Sequence, residues 1–306
     1  MMDPDELYTL RAQFWLGHYQ LCLEECKATV RRPMSPQLKS EREEFVQRAN
    51  LALGQYEKVI RETSGSDKSS SLKALNLQAS YEIAASKNDA DQMENIVNQM
   101  KQLISNNNPA EVTTSLQLTA AHVFLRHNLT REALQCVHLG VSMEHIALSL
   151  QIYLKIDRLD LAQAQLSLLK QADEDAVLTQ LGSVVVKIAT GKSGANDALH
   201  TLSMLSEQYG PSIMLLNVTA VAHLTAGNYA AAETALLEAK QEMSSTGVND
   251  ADTWVNLIVC SSQMGKDTSV YMDQMKKDFA NHPFVLGLER VENAFERESL
   301  KYVVDA

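Results

Sequence analysis

Three side chains near the start of the chain, His18, Cys22 and Cys26, stand four residues apart in succession. On a helix that spacing puts an imidazole and two thiols on one face, and zinc accepts such ligands. A closed zinc site needs a further donor, and none is in view. The stripe therefore reads as structural, with Cys22 and Cys26 as small hydrophobes on the inner face of a helix. A second stretch, TGKSG from Thr190 to Gly194, has the ending of a phosphate-binding loop, but the earlier glycine is missing and a helical pattern precedes it rather than a strand. Asp173, Glu174 and Asp175 offer clustered carboxylates just before an apolar run, the place of N-cap and first-turn acids. Such carboxylates catalyse only when burial drives their pKa values apart. No His-Glu-x-x-His, nucleophile elbow or dinucleotide fingerprint occurs. The expectation is no catalytic residue, no metal and no cofactor.

The elements that carry these residues are helices. From Leu215 to Lys240 the chain reads LLNVTAVAHLTAGNYAAAETALLEAK, two helical patterns joined at a Gly-Asn corner, with alanine where a solitary amphipathic helix would carry leucine. Burial of apolar area at roughly 25 cal/mol per Å² favours large side chains. Alanine makes sense only where two helices approach too closely for anything bulkier. Related corners occur at Gly17, Gly54, Asn88, Asn128, Asp157, Gly191 and Gly265, at intervals of 29 to 40 residues.

That period, with small residues on the first helix, glycine at the corner and alanines on the second, resembles the tetratricopeptide repeat. Ala220 and Ala232 would let the backbones approach, with Tyr229 and Leu236 filling the space beside them. His223 stands where the motif has an aromatic and reads as half-buried and hydrogen-bonded. The expected fold is all-α, a tetratricopeptide-like solenoid of seven to nine helical hairpins over 1–306, winding as a right-handed superhelix. Residues 283–306, with Leu288, Val291, Phe295 and Tyr302 at helical spacing, are expected to form a capping segment. Thr63 to Ser71 should be a long exposed loop, Asn106 to Asn108 a helix stop, and Pro109 the first turn of the next helix.

Composition narrows the function classes. Hydrophobic residues make up 45% and charged ones 21%, as in a folded domain, and the net charge is −11. So acidic a chain repels nucleic acid and anionic lipid unless it carries a local basic patch, and the pairs Arg31-Arg32 and Lys276-Lys277 read as solvated surface. The acidic start MMDPDELYTL lacks the pattern of a signal peptide, and no apolar run nears the ~18 residues of a membrane span. Four scattered cysteines suit a reducing compartment. A cytoplasmic location follows as an expectation, and the Asn-x-Thr matches at Asn128 and Asn217 are then chance strings.

Without chemistry, the working part should be the concave wall lined by the first helix of each hairpin. Met214, Asn217, Val221 and Leu224 are expected to point there, joined by Val255 and Val259 from the next hairpin. A mostly apolar groove in an acidic chain marks a protein-binding site. With a shifted helix register the same residues would pack inside the array. Adaptors that clamp a terminal carboxylate line this wall with lysine, arginine and asparagine, a pattern missing here.

The segments LKIDRLDLAQAQL, QADEDAVLTQL, AGNYAAAETALLEA, NLIVCSSQMGK and HPFVLGLERVENAFER, in that order, make the chain resemble the coatomer epsilon subunit family. FWLGHYQ and ALGQYEKVI extend the resemblance towards the N-terminus, while the serine-rich stretch departs from it. The resemblance implies a non-catalytic subunit of the COPI vesicle coat that binds and stabilises the C-terminal domain of the alpha coatomer subunit, in Golgi to endoplasmic reticulum and intra-Golgi transport. It implies a peripheral place on Golgi membranes and coated vesicles, with membrane contact only through the rest of the coat and no nucleic acid bound. The competing classes are a cytosolic tetratricopeptide adaptor or co-chaperone scaffold binding peptide termini, and an enzyme using the His18, Cys22, Cys26 stripe.

Overall fold

All eight corner residues lie in left-handed backbone, with φ of 81° at Gly17, 71° at Gly54, 55° at Asn88, 61° at Asn128, 58° at Asp157, 93° at Gly191, 85° at Gly227 and 67° at Gly265. That region is closed to most side chains, and this is why only glycine, asparagine and aspartate occur there. Seven corners share one hydrogen-bond pair, as when the Gly227 N–H donates to the Leu224 carbonyl and the Asn228 N–H to the His223 carbonyl. This Schellman arrangement satisfies the last carbonyls of one helix while turning the chain into the next.

The structure, a computed structural model, describes residues 6–106 and 112–302. Its helices pair across the corners: α1 (Tyr8–Trp15) with α2 (Tyr19–Ala28), α3 (Pro36–Ala52) with α4 (Tyr56–Thr63), and α5 (Ser70–Ser86) with α6 (Ala90–Asn106). There follow α7 (Thr114–Arg126) and α8 (Thr130–Val137), α9 (Met143–Lys155) and α10 (Leu159–Ala172), and α11 (Val177–Ala189) and α12 (Lys192–Tyr209). The series ends with α13 (Ile213–Ala226) and α14 (Tyr229–Thr246), α15 (Ala251–Gln263) and α16 (Ser269–Asp278), and α17 (Pro283–Ser299). No strand occurs among the described residues. The fold is an all-α solenoid of tetratricopeptide type.

The chain divides into two compact units, Met1–Leu215 and Leu216–Ala306, where the sequence suggests a single array. In the first unit the odd-numbered helices α1, α3, α5, α7, α9 and α11 pack each against the next, forming an inner layer. That layer returns on itself, because α1 also packs against α11. The Tyr8 and Tyr209 hydroxyls lie 3.4 Å apart, and the Ser212 hydroxyl donates to the Leu16 carbonyl while accepting from the Leu215 N–H at 3.1 Å. Gly17 sits at this closure: a Cβ added there would come within 2.9 Å of Met214 Cβ, whereas one added at Gly54 would meet nothing within 4 Å. Both substitutions strain a left-handed residue, but Gly17→Ala should lose about 2 kcal/mol and Gly54→Ala only about 1. Urea midpoints of the two variants check this, and equal losses would show that the closure carries no stability.

In the second unit Ala220, Ala232, Leu236, Leu257 and Cys260 form a buried cluster, so the alanines do mark a close helix approach. Ala232→Leu should therefore destabilise by about 1 to 3 kcal/mol through overpacking, while Ala230→Leu, on the exposed side of α14, should change little. Equal denaturation midpoints would place the contact elsewhere.

Several local expectations change. Ser64 to Ser69 form the expected loop, mostly exposed, but its two ends are helical: Thr63 closes α4, Ser69 accepts from the Leu72 N–H as the N-cap of α5, and Ser71 is buried with its hydroxyl 2.6 Å from that of Thr113. Asp173 to Asp175 lie before α11 rather than at its cap, which is Ala176, and Asp173 accepts from the Asp175 N–H in a local turn. Helix α6 ends at Asn106 and α7 begins at Thr114 behind its Thr113 cap, while Asn107, Asn108 and Pro109 lie outside the described residues. Half-buried His223 leaves its Nδ1 without a hydrogen-bond partner among the described residues.

Candidate partner-binding surface

The six wall residues do not form one open strip. Asn217 is 7% exposed and acts as a latch: its amide donates to Thr253 Oγ1 at 2.7 Å, and its carbonyl accepts from Asn256 at 2.9 Å. A polar group this well satisfied belongs to the packing between α13 and α15. Leu224 packs on the Ala220 and Leu236 cluster, Val255 packs beside Ile258 and Met275, and Met214 covers the place where a Gly17 side chain would go. The latch sets α13 and α15 side by side in register. Val221 and Val259 lie one turn beyond it, Val221 half-buried and Val259 38% exposed.

The second unit leaves more apolar surface uncovered on α17. Val285 anchors its first turn on Ile258 and Met275, but Val291 is 65% exposed, Phe295 73% and, beyond the helix, Tyr302 80%. Val291 and Phe295 share the exposed surface of α17 with Glu289, Arg290, Glu292 and Glu296.

The inner layer of the first unit is occupied by its own side chains. Arg48 on α3 donates to Glu144 on α9 through two nitrogens, at 2.6 and 3.2 Å, and the Trp15 indole on α1 donates to the same carboxylate at 2.8 Å. The guanidinium lies 4.6 Å from the ring centres of both Phe14 and Phe45. Burial would raise the Glu144 pKa, but Arg48 and the donated hydrogen bonds win and hold it below the usual carboxylate range. These residues tie three inner helices together and leave neither group free for chemistry.

His122, whose own surface is exposed, is crowded by protein and lies near Arg48, and both push its pKa down to about 4. An unfolded histidine protonates near pH 6.5, so stability from the neutral ring is complete above that pH and is lost as pH falls towards 4. The melting temperature should thus drop between about pH 7 and 5, and His122→Gln should flatten the drop. An unchanged pH profile in that variant would contradict the assignment.

Of the residues singled out for chemistry, Cys22 and Cys26 are buried against Leu10, Phe45 and Ala49. The Cys26 hydrogen bond and burial push the Cys22 thiol well up, away from thiolate chemistry. His18 stands at the N-cap position of α2, and Gly191 of TGKSG is a repeat corner. The sequence reading missed Trp15, Arg48 and Glu144. Their signal was faint: Arg48 is one of several charges on α3, and Trp15 and Glu144 lie on other helices far away in the sequence.

The coatomer epsilon subunit family model matches residues 3–303. Coatomer subunit epsilon-2 of Arabidopsis thaliana is 33% identical over 96% of this chain and 96% of its own length. Coatomer subunit epsilon of Dictyostelium discoideum is 30% identical over 96% of this chain and 98% of its own length. Among solved structures, a tetratricopeptide repeat protein from Parabacteroides merdae superposes with a TM-score of 0.54 at 10% identity, over 93% of this chain and 96% of that one. A chain of the Cut9-Hcn1 hetero-tetramer of APC/C gives 0.58 at 11% identity, over 93% of this chain and 55% of its own. Identities so low speak for the fold alone, and it is the tetratricopeptide fold. The match in sequence runs across nearly the whole length, and the chain belongs to the coatomer epsilon subunit family.

Proposed function

We propose that the protein, as a non-catalytic coat subunit, binds and stabilises the C-terminal domain of the alpha coatomer subunit in vesicle transport between Golgi and endoplasmic reticulum and within the Golgi. The observation that carries this reading is the apolar surface left uncovered on the second unit, at Val221 and Val259 and along α17. Exposed apolar area of this kind favours a protein partner, because covering it removes it from water. The protein would reside in the cytoplasm and sit peripherally on Golgi membranes and COPI-coated vesicles, held there by the rest of the coat. A net charge of −11 and the lack, among the described residues, of a helix long and apolar enough to cross a membrane fit an indirect attachment. A tagged chain recovered from cytosol should bring the other coat subunits with it in quantitative mass spectrometry. Heat-shock chaperones without coat subunits would instead favour a peptide-clamping adaptor.

A further inference from the structure

A groove of about 650 Å³ runs between α2, the short 3-10 turn Thr29–Arg31, α3 and the start of α4. Its floor is apolar, formed by Leu23, Val46 and Val30, the last 58% exposed. Lys27, Lys39, Arg42 and Lys58 line it, against the single carboxylate of Glu43, which lies 3.6 Å from Lys68. None of the four cations is paired with a carboxylate among the described residues. Arg42 donates to the Thr29 carbonyl at 2.9 Å, Lys58 donates to the neutral side chains of Asn50 and Gln55, and Lys27 and Lys39 stand exposed. In a chain of net charge −11, four cations against one carboxylate around an apolar trough form a local reversal of sign.

We infer that this groove docks an acidic peptide segment of a partner protein, one that carries an aliphatic or aromatic anchor between its carboxylates. The apolar floor takes the anchor and the cations neutralise the flanking acids, the pairing of apolar centre and charged rim found at protein interfaces. An anionic bilayer is the poorer fit. A flat charged sheet meets the surrounding acidic surface as well as the trough, whereas a single strand within the groove lies inside the ~8 Å Debye length of the four cations. The inference stands independently of the coat reading.

The test uses a fluorescein-labelled peptide of glutamates and aspartates flanking two leucines, a control in which glutamine and asparagine replace the acids, and phosphatidylserine vesicles. In fluorescence anisotropy the full chain should bind the acidic peptide, with affinity falling as salt is raised, and should bind the neutral control at least about tenfold less tightly. Lys27→Glu with Lys39→Glu, both on exposed positions, should lose a similar factor while keeping the parent's circular dichroism. Lys276→Glu with Lys277→Glu on α16 should change little. Equal affinity for the neutral control, undiminished binding by the folded Lys27→Glu, Lys39→Glu variant, or preference for the vesicles over the peptide would each overturn the proposal.

Discussion

Arg48→Met should destabilise the protein by about 3 kcal/mol, the scale expected when one partner of a well-buried ion pair is removed. The side chains of Arg48 and Glu144 are 17% and 20% exposed, so little water reaches either charge. Removing the guanidinium leaves the Glu144 carboxylate with the Trp15 indole as its remaining donor and takes away the cation between Phe14 and Phe45. Adding Glu144→Gln removes the orphaned charge yet keeps an acceptor for Trp15. The double variant should thus be more stable than Arg48→Met alone, a non-additivity that chemical denaturation resolves. Losses that simply sum would mean that the pair does not couple α3 to α9.

The second large effect is on binding. A glutamate at Val221 and another at Val259 must be desolvated under a partner that offers no counter-charge, at about 2 to 4 kcal/mol, or roughly thirtyfold to several-hundredfold in affinity. In the free chain Val259 is exposed and Val221 half-buried, so helicity and melting temperature should stay near those of the parent. The double variant should be folded and should no longer retain the alpha subunit in a pull-down. A third glutamate, at Phe295 on α17, separates the two apolar regions: loss of binding there alone would move the contact to the last helix. Unfolding of the Val221→Glu, Val259→Glu variant would identify these valines as core.

The corners were legible because left-handed backbone restricts residue type so strongly that Gly17, Asn128 or Gly227 announces itself. Close packing at Ala220 and Ala232 was legible for a similar reason, since a small residue inside a helix pattern needs a near neighbour. The return of the first unit on itself was not, because Tyr8 and Tyr209 are 201 positions apart and Leu16 and Ser212 are 196 apart, with no local period to link them. Asn217 looked like a wall residue because helical periodicity gives a face but not what lies against it. The basic groove escaped because its four cations are spread over three helices, Lys27 on α2, Lys39 and Arg42 on α3 and Lys58 on α4, and no run of lysine or arginine betrays it. Within Thr63 to Ser71 the loop was legible and the helix start at its end was not, because the same hydroxyl that suits a turn also caps a helix, as Ser69 does.

If the chain holds the C-terminal domain of the alpha coatomer subunit through apolar surface of its second unit, as proposed, calorimetric titration of the two purified proteins should show it. Saturable, equimolar binding that persists at high salt, with a negative heat-capacity change and loss in the Val221→Glu, Val259→Glu variant, is the predicted result. An absence of binding between folded proteins, or binding that the double variant retains in full, would contradict it.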